Sequence, residues 1–165
     1  MMFKTIYDYE DFAQSTTNED GSRVYVNASG VAYPSATTVL SVLSRDGIAK
    51  WRARVGAEQA DKISKKASTR GTKIHSLTET YLKNEDLEEA YTSTKASLLD
   101  LEMFKKFKPV LDSIGDIHCQ ELALYSDHLR MAGRVDCIAE YNGMPAVIDF
   151  KTSSKSKKKE HISSY

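Results

Sequence analysis

Asp136, Asp149 and Lys151 are the residues of this chain whose types and spacing best suit a reaction. Between the two aspartates lies Tyr141-Asn142-Gly143-Met144. Asn-Gly is the strongest two-residue signal for a β-hairpin, because a type I′ turn needs positive φ at both central positions. With Asn142 and Gly143 as the loop, Tyr141 faces Met144; counting back sets Val135 against Phe150 and Asp136 against Asp149. Directly opposed residues on antiparallel strands have Cβ atoms about 4.5–5.5 Å apart. Two carboxylates at that separation repel, so one stays protonated or a cation lies between them. Lys151 follows Asp149 by two positions and therefore projects from the same face, opposite Arg134. Two anionic oxygen ligands with cationic groups beside them suit phosphate chemistry. The alternative is a pair of surface acids salt-bridged to Lys151 and Arg134. Against it, the apolar Ala146-Val147-Ile148 before Asp149 and Phe150 after it predict a largely buried strand, where an unpaired charge is costly.

The elements that must carry these residues fall into a helical part followed by a strand-rich part. Residues 1–21 read as a polar lead-in with little structure. RVYVN, the turn NASG and VAYP predict a β-hairpin from Arg23 to Pro34. Ser35 suits the N-cap of a helix through Thr38, Val39, Leu40, Val42 and Leu43, with Asp46-Gly47 expected to break it. A second stretch, Ile48 to Val55, carries the only tryptophan, Trp51. A longer helix is expected from Ala57 to Leu82, with Ile63, Ala67, Ile74 and Tyr81 in one apolar stripe and Arg70-Gly71-Thr72 as an interruption. Residues 84–93 read as a loop or frayed turn. A helix from Thr94 to Ile114 should turn Leu98, Leu101, Phe104 and Val110 or Leu111 inward, kinked at Pro109. After Gly115, IHCQELALY, LRMAGRVDCIAEY and MPAVIDFKT are rich in β-formers. The pattern predicts an α+β domain over residues 22–153, a helical layer packed on a mostly antiparallel sheet, with 154–165 as a basic tail or the start of a further helix.

At the hairpin the chain resembles a known family. GRVDCIAEYNGMPAVIDFKTS is similar to the core of the PD-(D/E)XK nuclease superfamily, with an acid on one strand and Asp-x-Lys on the next. Within it the resemblance is to the RecB-like exonucleases, the branch of mitochondrial genome maintenance exonucleases and phage-encoded relatives. YPSATTVLS resembles that family's N-terminal Pro-Ser-x-Thr-x-Val-Leu segment, and RGTKIHSLTETYL its histidine-bearing helix, so that three segments run in order from Pro34 to Ser153. The resemblance implies a restriction-endonuclease-like core and a DNA exonuclease. Asp136 and Asp149 would hold the metal, with the Phe150 carbonyl, His75 and Glu121 as further ligands, and Lys151 would orient or deprotonate the attacking water. Mg²⁺ suits carboxylate, carbonyl and water oxygens, and direct ligation by His75 would favour Mn²⁺. RecB-like members often carry a Gln-x-x-x-Tyr helix after the Asp-x-Lys strand. None occurs before Tyr165, so a shortened C-terminal end is expected. Relatives that hold an iron–sulfur cluster use four cysteines; this chain has Cys119 and Cys137 alone, and no cluster is expected.

Charge adds a weaker signal. Lys and Arg total 23, as do Asp and Glu, so there is no general basic coat for nucleic acid. The distribution is nonetheless polarised: basic residues gather from Lys50 to Lys73 and from Lys155 to Lys159, acidic ones near the N-terminus and around Glu85 to Glu89. DNA lying along one side fits that pattern, as do solvated helix faces. Arg70, Arg134, Trp51 and Lys155 are the candidate DNA contacts. Trp51 would stack on a base or, alternatively, anchor helix packing. No apolar run approaches the roughly 18 residues that span a membrane, and MMFKTIYDYEDF lacks the basic and apolar regions of a secretory signal. A cytoplasmic protein is expected, in the host cytoplasm if the chain is phage-encoded. Two other readings share these residues: a non-catalytic or truncated DNA-binding module with the nuclease fold, and a structure-specific endonuclease.

Overall fold

A computed structural model describes residues 2–153. Its elements run β1 (Ala13–Thr17), β2 (Arg23–Asn27), β3 (Ala32–Pro34), α1 (Ala36–Val55), α2 (Ala57–Leu82), α3 (Leu87–Ser93), α4 (Leu98–Leu111), β4 (Ile114–Ser126), β5 (Met131–Tyr141) and β6 (Met144–Ile148). The α+β class is as expected. The strands, however, form two antiparallel three-stranded sheets, β1-β2-β3 and β4-β5-β6, where one sheet was expected.

The second sheet carries the main core. Ile114, Ile117, Cys137 and Ala139 from β4 and β5 pack against Ile74, Leu77 and Leu82 of α2, Ala90 of α3, and Phe104 and Leu111 of α4. Phe3 joins this cluster, and Ile6 donates its N–H to the Ile117 carbonyl. A smaller core of Ala13, Tyr25, Tyr33, Ala123 and Ala132 joins the first sheet to β4 and β5. The polar lead-in is therefore partly ordered. β1 was invisible to pattern reading because AQSTT buries only its first residue.

Several helix expectations change. α1 runs through Asp46-Gly47 without a break; an interior glycine costs about 1 kcal/mol relative to alanine, too little to stop a well-capped helix. It ends instead at Gly56, whose φ of 86° only glycine adopts cheaply. Ser35 is the N-cap, its hydroxyl accepting the Thr38 N–H at 3.1 Å. α2 is likewise continuous across Arg70-Gly71-Thr72. Its buried side is Ala60, Ile74, Leu77, Thr78 and Leu82, so that of the expected stripe Ile74 is buried, Tyr81 half-buried, and Ile63 and Ala67 exposed. Residues 87–93 form a helix rather than a loop, capped by Asp86, whose carboxylate accepts the Glu88 N–H at 2.9 Å. In α4, Phe104 and Leu111 face inward as expected, while Leu98 and Val110 are exposed and Asp100 is buried.

The hairpin register is the one the Asn-Gly signal implies. Asn142 and Gly143 have φ of 53° and 75°, and the ladder runs from Tyr141↔Met144 to Cys137↔Ile148. The next level of that register is Asp136 and Asp149, where regular pairing stops.

Candidate metal centre

Four elements converge on one cleft. α2 supplies His75 and Glu79, which share a face because they are four residues apart. The neighbouring Ile74, Leu77 and Thr78 are buried and fix the helix rotation, with the Thr78 hydroxyl donating to the Ile74 carbonyl at 2.8 Å. β4 supplies Glu121 and β5 supplies Asp136. The segment after β6 supplies Asp149, Phe150 and Lys151. Gly71, Thr72, His75, Ser76 and Glu79 line one wall of the cleft, and Phe150 to Thr152 line the other.

The distances define two linked groups. His75 Nε2 lies 3.0 Å from Asp136 Oδ2, and its Nδ1 lies 3.5 Å from Glu121 Oε1. Asp136 Oδ2 also accepts the Phe150 N–H at 2.8 Å, which ties the end of β6 to β5 where the ladder stops. His75, Glu79 and Glu121 each bring a ligand atom within 4.8 Å of the other two. In the second group, Lys151 Nζ donates to Asp149 Oδ1 at 2.8 Å, and both side chains are about half exposed. Phe150 stands edge-on to the His75 ring.

The electrostatics follow from this geometry. Hydrogen bonding to Asp136 raises the His75 pKa above its ordinary value; burial opposes the rise, and the nearby carboxylates add to it. Burial pushes Asp136 upward, but the His75 hydrogen bond and the Phe150 N–H outweigh it, leaving the carboxyl below the usual range. Burial raises Glu121. Its Oε1 is buried without a hydrogen-bond partner, an orphaned acceptor beside a histidine and a second glutamate. Such an acceptor costs roughly 1–3 kcal/mol, and a divalent cation would satisfy it. Carboxylate oxygens with one imidazole form a donor set that suits Mg²⁺ or Mn²⁺.

The expected site residues therefore divide. His75, Glu121 and Asp136 come together directly. Asp149 and Lys151 sit beside them as a pair, and the Asp149 side chain is 56% exposed, not buried as its strand context predicted. Phe150 meets Asp136 through its N–H; the expected ligand was its carbonyl. Glu121 stands level with Asp136, since Gln120 pairs with Cys137 and Leu122 with Val135. Sequence reasoning missed Glu79, although its i,i+4 spacing from His75 was there to be read.

Among the described residues, none of the candidate DNA contacts lines the cleft. The Arg134 guanidinium donates to the Glu121 carbonyl and to Asp11 Oδ2, the latter at 2.5 Å. Arg70 lines a separate hollow with Lys66, Lys73, Ser97 and Asp100, on the side of α2 away from His75. Trp51 is half-buried on α1, beside an Arg52 that pairs with Asp61 at 2.7 Å. Lys155 lies outside the described residues. Among the described residues, no helix is long and apolar enough to cross a membrane.

No protein-family model matches the chain. It is similar to mitochondrial genome maintenance exonuclease 1 of Homo sapiens, 26% identical over 132 residues that cover 75% of this chain and 38% of that protein. The protein of the same name from Mus musculus is 42% identical over 48 residues, 29% of this chain and 14% of the relative. The chain thus spans about two-fifths of the length of the human relative. What it is similar to, distantly and over part of that length, is a mitochondrial exonuclease.

Proposed function

We propose that this chain is a Mg²⁺- or Mn²⁺-dependent DNA exonuclease of the RecB-like PD-(D/E)XK type, acting on single strands or DNA ends. The observation that carries the reading is the cluster of His75, Glu79, Glu121 and Asp136, with its orphaned Glu121 oxygen, beside the Asp149–Lys151 pair. The distant similarity to a mitochondrial exonuclease supports the same chemistry.

His75, Glu79 and Glu121 would hold the cation, with Asp136 and Asp149 at its edge. When bound, it supplies positive charge next to the scissile phosphate. Asp136 holds the His75 ring through Nε2, which leaves Nδ1 turned toward Glu121. Phe150 locks Asp136 in turn and brings Lys151 to the cleft wall. Asp149 accepts a hydrogen bond from Lys151 Nζ at 2.8 Å, and this ammonium would draw a phosphate oxygen to the cleft and orient the attacking water. In the reaction the water oxygen forms the new bond to phosphorus and the bridging P–O bond breaks; the water proton leaves to solvent, since the Lys151 ammonium donates and cannot accept it, and the leaving oxygen takes a proton from solvent.

The test is cleavage of labelled DNA by the purified chain with and without Mn²⁺ or Mg²⁺. Lys151→Ala should lower turnover by about 10²-fold or more with the circular dichroism spectrum unchanged. Undiminished turnover in that variant would sink the mechanism. Cleavage of covalently closed circles would indicate an endonuclease. Cation-independent binding without cleavage would indicate a DNA-binding module.

A further inference from the structure

Glu121 occupies an unusual place in its strand. Its φ is 51°, in the left-handed region, in the middle of β4. Holding a side-chain-bearing residue there costs about 1–2 kcal/mol, and regular pairing lapses at the level it shares with Asp136. Such a distortion persists only when its surroundings over-determine it. The surroundings are specific. Arg134 donates from one guanidinium nitrogen to the Glu121 carbonyl and from another to Asp11 Oδ2. Asp11 Oδ1 accepts the Ala123 N–H at 2.8 Å, and the Phe12 N–H donates to the Ala123 carbonyl at 3.0 Å. The N-terminal segment is thus tied to Ala123 and to Arg134 by three contacts beside this left-handed residue.

Arg134 and Asp11 are each about one-third exposed, and an ion pair at that depth contributes little to global stability. Its effect is local. With the Glu121 carbonyl drawn to Arg134, the residue's side chain reaches Oε1 to within 3.5 Å of His75 Nδ1. In an ordinary extended conformation that carbonyl would point along the ladder, and the carboxylate would lose this direction.

We propose that Asp11 and Arg134 are positioning residues that hold Glu121 in its left-handed conformation within β4 so that it presents its carboxylate to His75 and Glu79. The inference rests on the metal-dependent reading above and extends it to two residues outside the cleft. Mn²⁺ binding to the full chain, without DNA, is measured by calorimetry or by the loss of the free-ion paramagnetic resonance signal. Asp11→Ala and Arg134→Leu should each weaken Mn²⁺ binding by about tenfold, the scale for groups that orient ligands. Turnover should recover at saturating Mn²⁺, a shift in half-saturation rather than in kcat. Arg134→Lys, which can still donate to one acceptor, should regain part of the affinity, and Asp11→Asn, which keeps the Ala123 acceptor, supplies a milder variant if Asp11→Ala loses its fold. Glu121→Gln is the reference. Reduced binding there, with unchanged binding in folded Asp11 and Arg134 variants, overturns the positioning role alone. Unchanged binding in Glu121→Gln overturns the metal-site reading and the positioning role with it.

Discussion

At the cleft, Glu79 shares a helix face with His75 and accepts Lys83 Nζ at 2.6 Å on its outer side. That bond steadies a glutamate that brings a ligand atom within 4.8 Å of those of His75 and Glu121. Glu79→Gln keeps the size and removes the charge, so it should weaken Mn²⁺ binding several-fold while Tm stays within about 2 °C; calorimetry and a thermal melt check both. The hairpin register as far as Cys137↔Ile148 was legible from one turn, because Asn-Gly admits a narrow set of φ values from which the pairing is counted back. Glu121 was not. The β4–β5 connection, Asp127 to Arg130, has no glycine to mark it, although Arg130 takes a φ of 51°. The left-handed conformation that aims Glu121 lies beside Asp11, more than a hundred residues earlier, and no local pattern announces a contact of that range.

The connecting elements show where local signals suffice. Gly143 has nothing within 4 Å of a built Cβ, so Gly143→Ala meets only a conformational cost. That substitution should destabilise the protein by about 1 kcal/mol without altering the register, as read by urea denaturation. α4 offers a second case. Ser97 and Asp100 form a reciprocal capping box, and Lys73 Nζ lies 3.5 Å from Asp100 Oδ2. Burial pushes the Asp100 pKa up, but the Ser97 backbone and hydroxyl and Lys73 more than offset it, so the carboxyl titrates below its ordinary value. A depressed carboxyl contributes stability that is fully present above the unfolded-state value, near 3.9, and lost as pH falls through the folded value. Asp100→Asn should cost about 1 kcal/mol at neutral pH and flatten the acid limb of the stability profile, seen in melts from pH 6 down to 3. Periodicity located α4, yet it could not show that a charged residue, Asp100, would be among the buried ones. α3 escaped notice because an acidic seven-residue helix with one buried residue, Ala90, has almost no period to detect.

Across the whole molecule, burial is uneven. α1 has no buried residue, and Val39, Leu40, Val42 and Leu43 remain exposed along it, Leu43 at 76%. Leu43→Lys should leave stability within about 0.5 kcal/mol of the parent, as judged by urea denaturation, since it removes no packing. Helix formation and burial are separate here: capping by Ser35 and backbone propensity make α1, while the core lies under α2, α3 and α4. The α+β class was legible from helices preceding strands. The division into two sheets was not, because β1 lacks alternation and its pairing partner follows only after Gly21.

The order of residues around the cleft has a consequence for synthesis. His75, Glu79, Glu121 and Asp136 emerge from the ribosome before the β-turn at Asn142, and Lys151 emerges after it. Domains acquire structure as they are made, N-terminal parts first. A nascent chain halted inside β6 would carry His75, Glu79, Glu121 and Asp136 and lack Lys151, the group proposed to act on a phosphate. Under the proposed function, the hydrolytic apparatus would be complete only once the closing strand has docked, and a chain stalled short of that point would not cleave.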